Sequence, residues 1–142
     1  MTFPPYVFAI GRNSTRFAVM MDYKILLICD NKYIGLTFQY YLEQKGYNVT
    51  HALTSTQALK LYSSLRPNLV LIVYSSFGEP PDREQLCLYL RAIMSDHYVP
   101  IFMVSSSLQE AQRAGATEWF DIIYDLNAIH EKIQVYRSED VS

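Results

Sequence analysis

The sequence predicts an α/β fold: a five-stranded parallel sheet held between two layers of helices. Three observations lead there. Leu69 to Tyr74 is an unbroken run of six apolar or aromatic residues, with Val70, Ile72 and Val73 β-branched. Without alternation, and bounded by Pro67-Asn68 and Ser75-Ser76, it reads as a strand buried on both faces, as in a sheet covered by helices on each side. Tyr23–Cys29 and Tyr98–Val104 repeat that signature. Between such runs lie segments with apolar residues at helical spacing, and strands alternating with helices give a parallel sheet with right-handed crossovers.

The elements follow in order. Tyr23–Cys29 is the first strand, broken by Asp30-Asn31, which can cap a helix. Ile34, Phe38, Tyr41 and Leu42 line one face of that helix, which ends at Gly46. Tyr47 to Leu53 alternates as a half-buried or edge strand does. Thr54 or Ser55 caps a second helix, with Ala58, Leu61, Tyr62 and Leu65 inward, and Pro67 stops it. After the central strand comes a polar loop through Gly78, Pro80 and Pro81. A third helix is expected from Asp82 or Arg83, with Leu86, Leu90, Ile93 and Met94 on one face. Tyr98–Val104 is the fourth strand. Ser105 to Ala114 leaves room for a short helix only, Gly115-Ala116 turns, and Glu118–Ile123 is the last strand. Leu126, Ile129, Ile133 and Tyr136 mark a closing helix.

Composition narrows the function classes. The 142 residues suit one domain with a sizeable core, and half of them are hydrophobic. A formal net charge of −2 gives no electrostatic case for nucleic acid. No apolar run reaches the roughly 18 residues that would cross a bilayer, so no membrane partner and a cytoplasmic location are expected. Cys29 and Cys87 sit in apolar segments without metal-ligand spacing, as buried thiols of a reducing compartment do. Residues 1–21, acid-free with Arg12 and Arg16, form an N-terminal extension without an assigned function, and residues 22–142 form the domain.

The local sequences resemble the receiver domain of response regulators in two-component signal transduction, over roughly residues 22 to 138, and the resemblance implies a flavodoxin-like (βα)5 fold. Lys24-Ile-Leu-Leu-Ile-Cys-Asp-Asn is similar to the family's first strand, which ends in two acids. Pro67-Asn-Leu-Val-Leu-Ile-Val is similar to Pro-Asp-Leu followed by three apolar residues and Asp. Val99-Pro-Ile-Phe-Met-Val-Ser is similar to the fourth strand, and Gly115-Ala-Thr-Glu-Trp-Phe to the approach to the fifth.

The family's chemistry is transfer of a phosphoryl group from a histidine kinase to one aspartate beside a magnesium ion. Carried over, its acid pair falls on Cys29 and Asp30, its phosphoacceptor on Val73 and the metal-binding carbonyl on Ser75. The switch hydroxyl falls on Ser105, the switch aromatic on Trp119 and the lysine on Ile122. One acid, the nucleophile and the lysine are therefore replaced. Valine has no lone pair with which to attack phosphorus, and one carboxylate is a poor magnesium site. No Asp or Glu occurs between Asn68 and Gly78, so a slip of one residue restores nothing. The expectation is a degenerate receiver, a pseudo-receiver, with a short fourth helix, no catalytic residue, no metal and no cofactor.

Competing readings sharpen the remaining residues. Asp30 is expected to cap a helix rather than to bind a cation, and Cys29 to be an inert buried thiol rather than a redox sensor. His51, His97 and His130 are expected at the surface or its boundary. Trp119, Tyr124 and Tyr136, in or beside the last strand and helix, are the expected partner surface, although each taken singly suits core packing. The first function is thus a phosphorylation-independent protein-interaction module, binding another signalling protein or itself. The alternative is a flavodoxin-like small-molecule binder using Asp30, Ser75, Ser76 and Ser105, which lacks a Gly-rich or Ser/Thr-dense phosphate cradle. An enzyme would need an activated nucleophile with its base, and no such pair is evident. With no output domain in the sequence, output is expected through a partner or a fusion.

Overall fold

A computed structural model describes residues 22–74, 80–94, 98–121 and 125–141, without the side chains of 80–84 and 139–141. Its strands are β1 (Lys24–Cys29), β2 (Asn48–Ala52), β3 (Leu69–Val73), β4 (Ile101–Ser105) and β5 (Glu118–Asp121). The helices between and after them are α1 (Lys32–Gln44), α2 (Ser55–Leu65), α3 (Pro80–Ile93), α4 (Leu108–Ala114) and α5 (Leu126–Val141). All strands are parallel in the order β2-β1-β3-β4-β5, so β3 is central and the alternating β2 is an edge.

The continuous apolar runs of β1, β3 and β4 follow from this order, since each is covered on both faces. Leu26, Ile28, Val70, Ile72, Ile101 and Met103 face one layer, which α2, α3 and α4 close with Ala58, Leu86, Leu90 and Ala111. Ile25, Leu27, Cys29, Leu69, Leu71, Val73, Phe102 and Val104 face the other, closed by Phe38 and Leu42 of α1 and Ile129 and Ile133 of α5. The short α4 is a single seven-residue helix, started by Ser107, whose side chain accepts from Glu110 N, and ended by Gly115 at φ 79°.

Several expectations move. The cap of α1 is Asn31, not Asp30: its Oδ1 accepts from Tyr33 N and Ile34 N at 2.9 and 3.0 Å, while Asp30 is exposed at the strand end. Helix α3 starts at Pro80 rather than Asp82, because a proline in the first turn forfeits only an N–H that has no intrahelical partner. Ile93 is 45% exposed, because Cys87 joins Leu86 and Leu90 inside and swings the buried face away from it. Strand β4 begins at Ile101, not Tyr98. Pro100 offers no N–H, although its carbonyl accepts from Val70 N at 3.0 Å. The end expected for the last strand, Ile122 and Ile123, lies outside the described residues, as does His97.

His130 is buried rather than at the boundary. Its ring meets Tyr41 and Tyr47 edge-on at 6.4 and 5.4 Å, and its Nε2 has no hydrogen-bond partner. Burial first, then the Lys45 and Arg137 charges, lower its pKa, against a smaller opposing effect of Glu131. The sign follows from linkage. Below the ordinary histidine value of about 6.5, the unfolded chain takes up a proton that the folded chain refuses, so stability falls with pH there. Unfolding by urea between pH 7 and 5 should show a slope of up to about 1.4 kcal/mol per pH unit from this group. The slope should disappear in His130→Phe, and an unchanged slope there would assign the pH dependence elsewhere.

Candidate functional site at the strand ends

In a parallel α/β sheet the carboxyl ends of the strands are where ligands meet loops. Register places Cys29 of β1 beside Val73 of β3, and Val73 beside Val104 of β4. These three side chains are buried at 1%, 2% and 0% exposure, so the floor is hydrocarbon and one thiol. The thiol is not poised for reaction. It donates to the Asn31 carbonyl at 3.4 Å, and its pKa is raised, chiefly by burial and further by the Asp30 charge, against the lowering effect of backbone hydrogen bonds.

Behind that floor, His51 of β2 reaches to β1. Its Nε2 lies 3.0 Å from the Cys29 carbonyl, and since a carbonyl only accepts, Nε2 carries the proton. The ring fills the space over Gly35, where any Cβ would collide with it, so α1 must carry glycine to admit this contact. Sequence reading left His51 without a role, because the partner is a backbone atom 22 residues away.

At the other side of the floor, Ser105 is fully buried and its hydroxyl is engaged. It donates to the Ser107 carbonyl at 3.2 Å and accepts from Ser107 N at 3.4 Å. Trp119 of β5 donates its Nε1–H to both the carbonyl and the hydroxyl of Ser105, each at 3.2 Å. The two positions that sequence reading identified as switch hydroxyl and switch aromatic are thus joined directly. Ser105 also pairs with Asp121 across the sheet.

The residues expected to form a partner surface do not make one patch, since Trp119 and Tyr136 lie on opposite faces of the sheet. Trp119 is half-buried and packs on the α2–α4 side of the core. Tyr136 packs on the other side, edge-on to Phe102 at 5.3 Å, with its hydroxyl donating to Glu118 Oε2 at 2.6 Å. Ser75, Ser76, Ile122 and Tyr124 lie outside the described residues. The residues present do not fit a magnesium ion. Cys29 offers a protonated, soft ligand where a hard oxygen is required, and among the described residues no three His, Cys, Asp or Glu side chains converge. Among the described residues, no helix is long and apolar enough to cross a membrane.

No protein-family model matches the chain. Its sequence is similar to sporulation initiation phosphotransferase F of Bacillus subtilis, 24% identical over 122 residues, covering 82% of this chain and 95% of that protein. Among solved structures, a two-component response regulator from Clostridium difficile aligns with TM-score 0.72 at 19% identity, over 84% of this chain and 98% of that one. Chemotaxis response regulator CheY4 of Vibrio cholerae aligns with TM-score 0.68 at 19% identity, over 80% and 97%. The receiver domain of a histidine kinase from Syntrophus aciditrophicus gives 0.70 at 19% identity, over 82% and 90%. Five parallel strands in this order, aligned over most of each chain, give this protein the fold of these response-regulator receiver domains.

Proposed function

We propose that this chain is a pseudo-receiver: a signalling module that binds another protein, from the cytoplasm, without aspartyl phosphorylation and without enzymatic activity of its own. One observation carries the reading. The residue at the end of the central strand, where the fold would present a nucleophilic carboxylate, is Val73, buried between Cys29 and Val104. A phosphoryl group there would find no attacking lone pair on Val73, and Cys29 offers a protonated thiol where a second acid would help to hold a hard cation. The engaged Ser105 hydroxyl supports the same reading, since Ser107 and Trp119 already occupy the group that would otherwise follow a phosphoryl oxygen. The name of the Bacillus relative, a phosphotransferase, and the kinase-linked receiver among the solved structures support a partner from a phosphorelay or its regulators.

The test is an amide NMR titration of the full chain with magnesium and beryllofluoride, a mimic of an aspartyl phosphate. Resonances of Asp30, Val73 and Ser105 are expected to stay in place. Saturable shifts clustered at those residues would sink the reading and return a regulated switch.

A further inference from the structure

Beyond the Asp82-Arg83-Glu84 run near its start, helix α3 is apolar on both sides. From Gln85 to Met94 it carries a single charge, Arg91. That guanidinium is turned under the helix end, bonded to the Val99 and Gly115 carbonyls at 2.8 and 3.0 Å. Leu86, Cys87, Leu90 and Met94 fill the core, yet Leu88 and Tyr89 are each 56% exposed and Ile93 45%, with Ala92 exposed between them. A helical stretch apolar on both sides normally has its second face covered as well, and a contiguous exposed apolar stripe marks an interaction surface. Helix α3 packs between α2 and α4, so the stripe runs down the middle of one side of the molecule.

The charges beside it choose the occupant. In a chain with 14 acids and 12 bases, every charged side chain described as exposed on α2, its cap and α4 is a cation: Lys60, Arg66 and Arg113. A second copy seated face to face would bring those like charges together. An anionic membrane would gain little from so few cations and no deeply inserting helix. We infer that the outer face of α3 docks an amphipathic helix of a partner protein whose apolar stripe is flanked by Asp or Glu. This deepens the proposed function, on which it rests for the premise that output passes through a protein partner. Helix-on-helix docking would seat Leu88, Tyr89 and Ile93 against the partner's apolar side chains, with the flanking cations setting its charge preference.

The probe is a synthetic amphipathic helical peptide with a leucine stripe flanked by glutamates, compared with the same peptide carrying lysines instead. Titrated into the labelled full chain, the glutamate peptide should give saturable amide shifts centred on residues 85–93. It should bind at least about tenfold more tightly than the lysine peptide. Leu88→Ser combined with Tyr89→Ser should abolish the shifts with thermal stability retained, because both side chains are largely exposed. Lys60→Glu should narrow the difference between the peptides. Equal binding of the two peptides would overturn the inference. So would no shift with either, shifts that depend on protein concentration alone, or binding only to vesicles containing phosphatidylserine. A response to beryllofluoride at the strand ends would instead overturn the pseudo-receiver reading while leaving the α3 result standing.

Discussion

Val73→Asp should strongly destabilise the domain rather than restore a phosphorylation site. Val73 is 2% exposed, packed in the layer formed by Cys29, Phe38, Val104 and Ile129, and paired on both sides in the sheet. A carboxylate there is desolvated, and the only neighbouring groups in register are a protonated thiol and a valine. An unpaired buried charge costs about 3–5 kcal/mol, a large share of a domain stability of roughly 5–15 kcal/mol. Part of that cost is avoided by keeping the acid protonated, which raises its folded pKa above the ordinary aspartate value near 3.9. The destabilisation relative to the parent should therefore be largest at neutral pH and shrink as pH falls toward that value, since the unfolded chain then also keeps its proton. Urea midpoints of both proteins at pH 7 and pH 5 measure this directly. Equal midpoints at pH 7 would mean that position 73 is open to water, and the case for a hydrocarbon floor would fail.

Arg91→Ala is the second large effect, at the opposite end of the sheet. Nη1 donates to the Val99 carbonyl at 2.8 Å, while Nη2 donates to the Gly115 carbonyl at 3.0 Å and to Thr117 Oγ1 at 2.9 Å. The guanidinium lies over the Tyr98 ring, 4.8 Å from its centroid. Thr117 Oγ1 in turn accepts from Ile101 N at 3.0 Å and meets the Tyr98 hydroxyl at 2.8 Å. One side chain thus ties the end of α3 to the approaches of β4 and β5. Removing it leaves carbonyls without their charged donor and the turn at Gly115 without its brace. Hydrogen bonds to charged groups contribute about 1.5–3 kcal/mol each, and their losses within one network are not additive. A loss of about 3 kcal/mol in chemical denaturation is expected. Arg91→Lys should recover less than half of it, because an ammonium cannot reach acceptors on two segments and stack on tyrosine together. A change within about 0.5 kcal/mol, typical of a solvated surface charge, would refute the clamp.

Arg91 also shows where reading the sequence stops. In the chain it stands in the last turn of a helix, where a basic residue is ordinary, and its acceptors are up to 26 residues away. His130 likewise sits beside Ile129 in an amphipathic pattern whose boundary the period of 3.6 leaves open. Only α1 and the start of β2, packed against α5 through Tyr41 and Tyr47, enclose it. The exchange of Asn31 for Asp30 as the cap is local: both residue types cap helices equally well, and where β1 ends decides between them.

What the amino-acid order determined by itself is the sheet and its vacancy. Uninterrupted apolar runs at β1, β3 and β4 demand cover on both faces, the alternation of β2 marks an edge, and the shortness of the segment from Ser105 to Gly115 limits α4. Valine at the end of β3 is equally legible, because a side chain's capacity for nucleophilic attack is a property of the residue and needs no fold to reveal it. What the tertiary structure decided is which polar groups meet: Trp119 on Ser105, His51 on the Cys29 carbonyl, Arg91 on the approaches of β4 and β5, and an apolar stripe of α3 left facing water. Local periodicity reports which way a side chain faces. It carries no information about what stands opposite, because that depends on chain segments brought together only when the hydrophobic layers close.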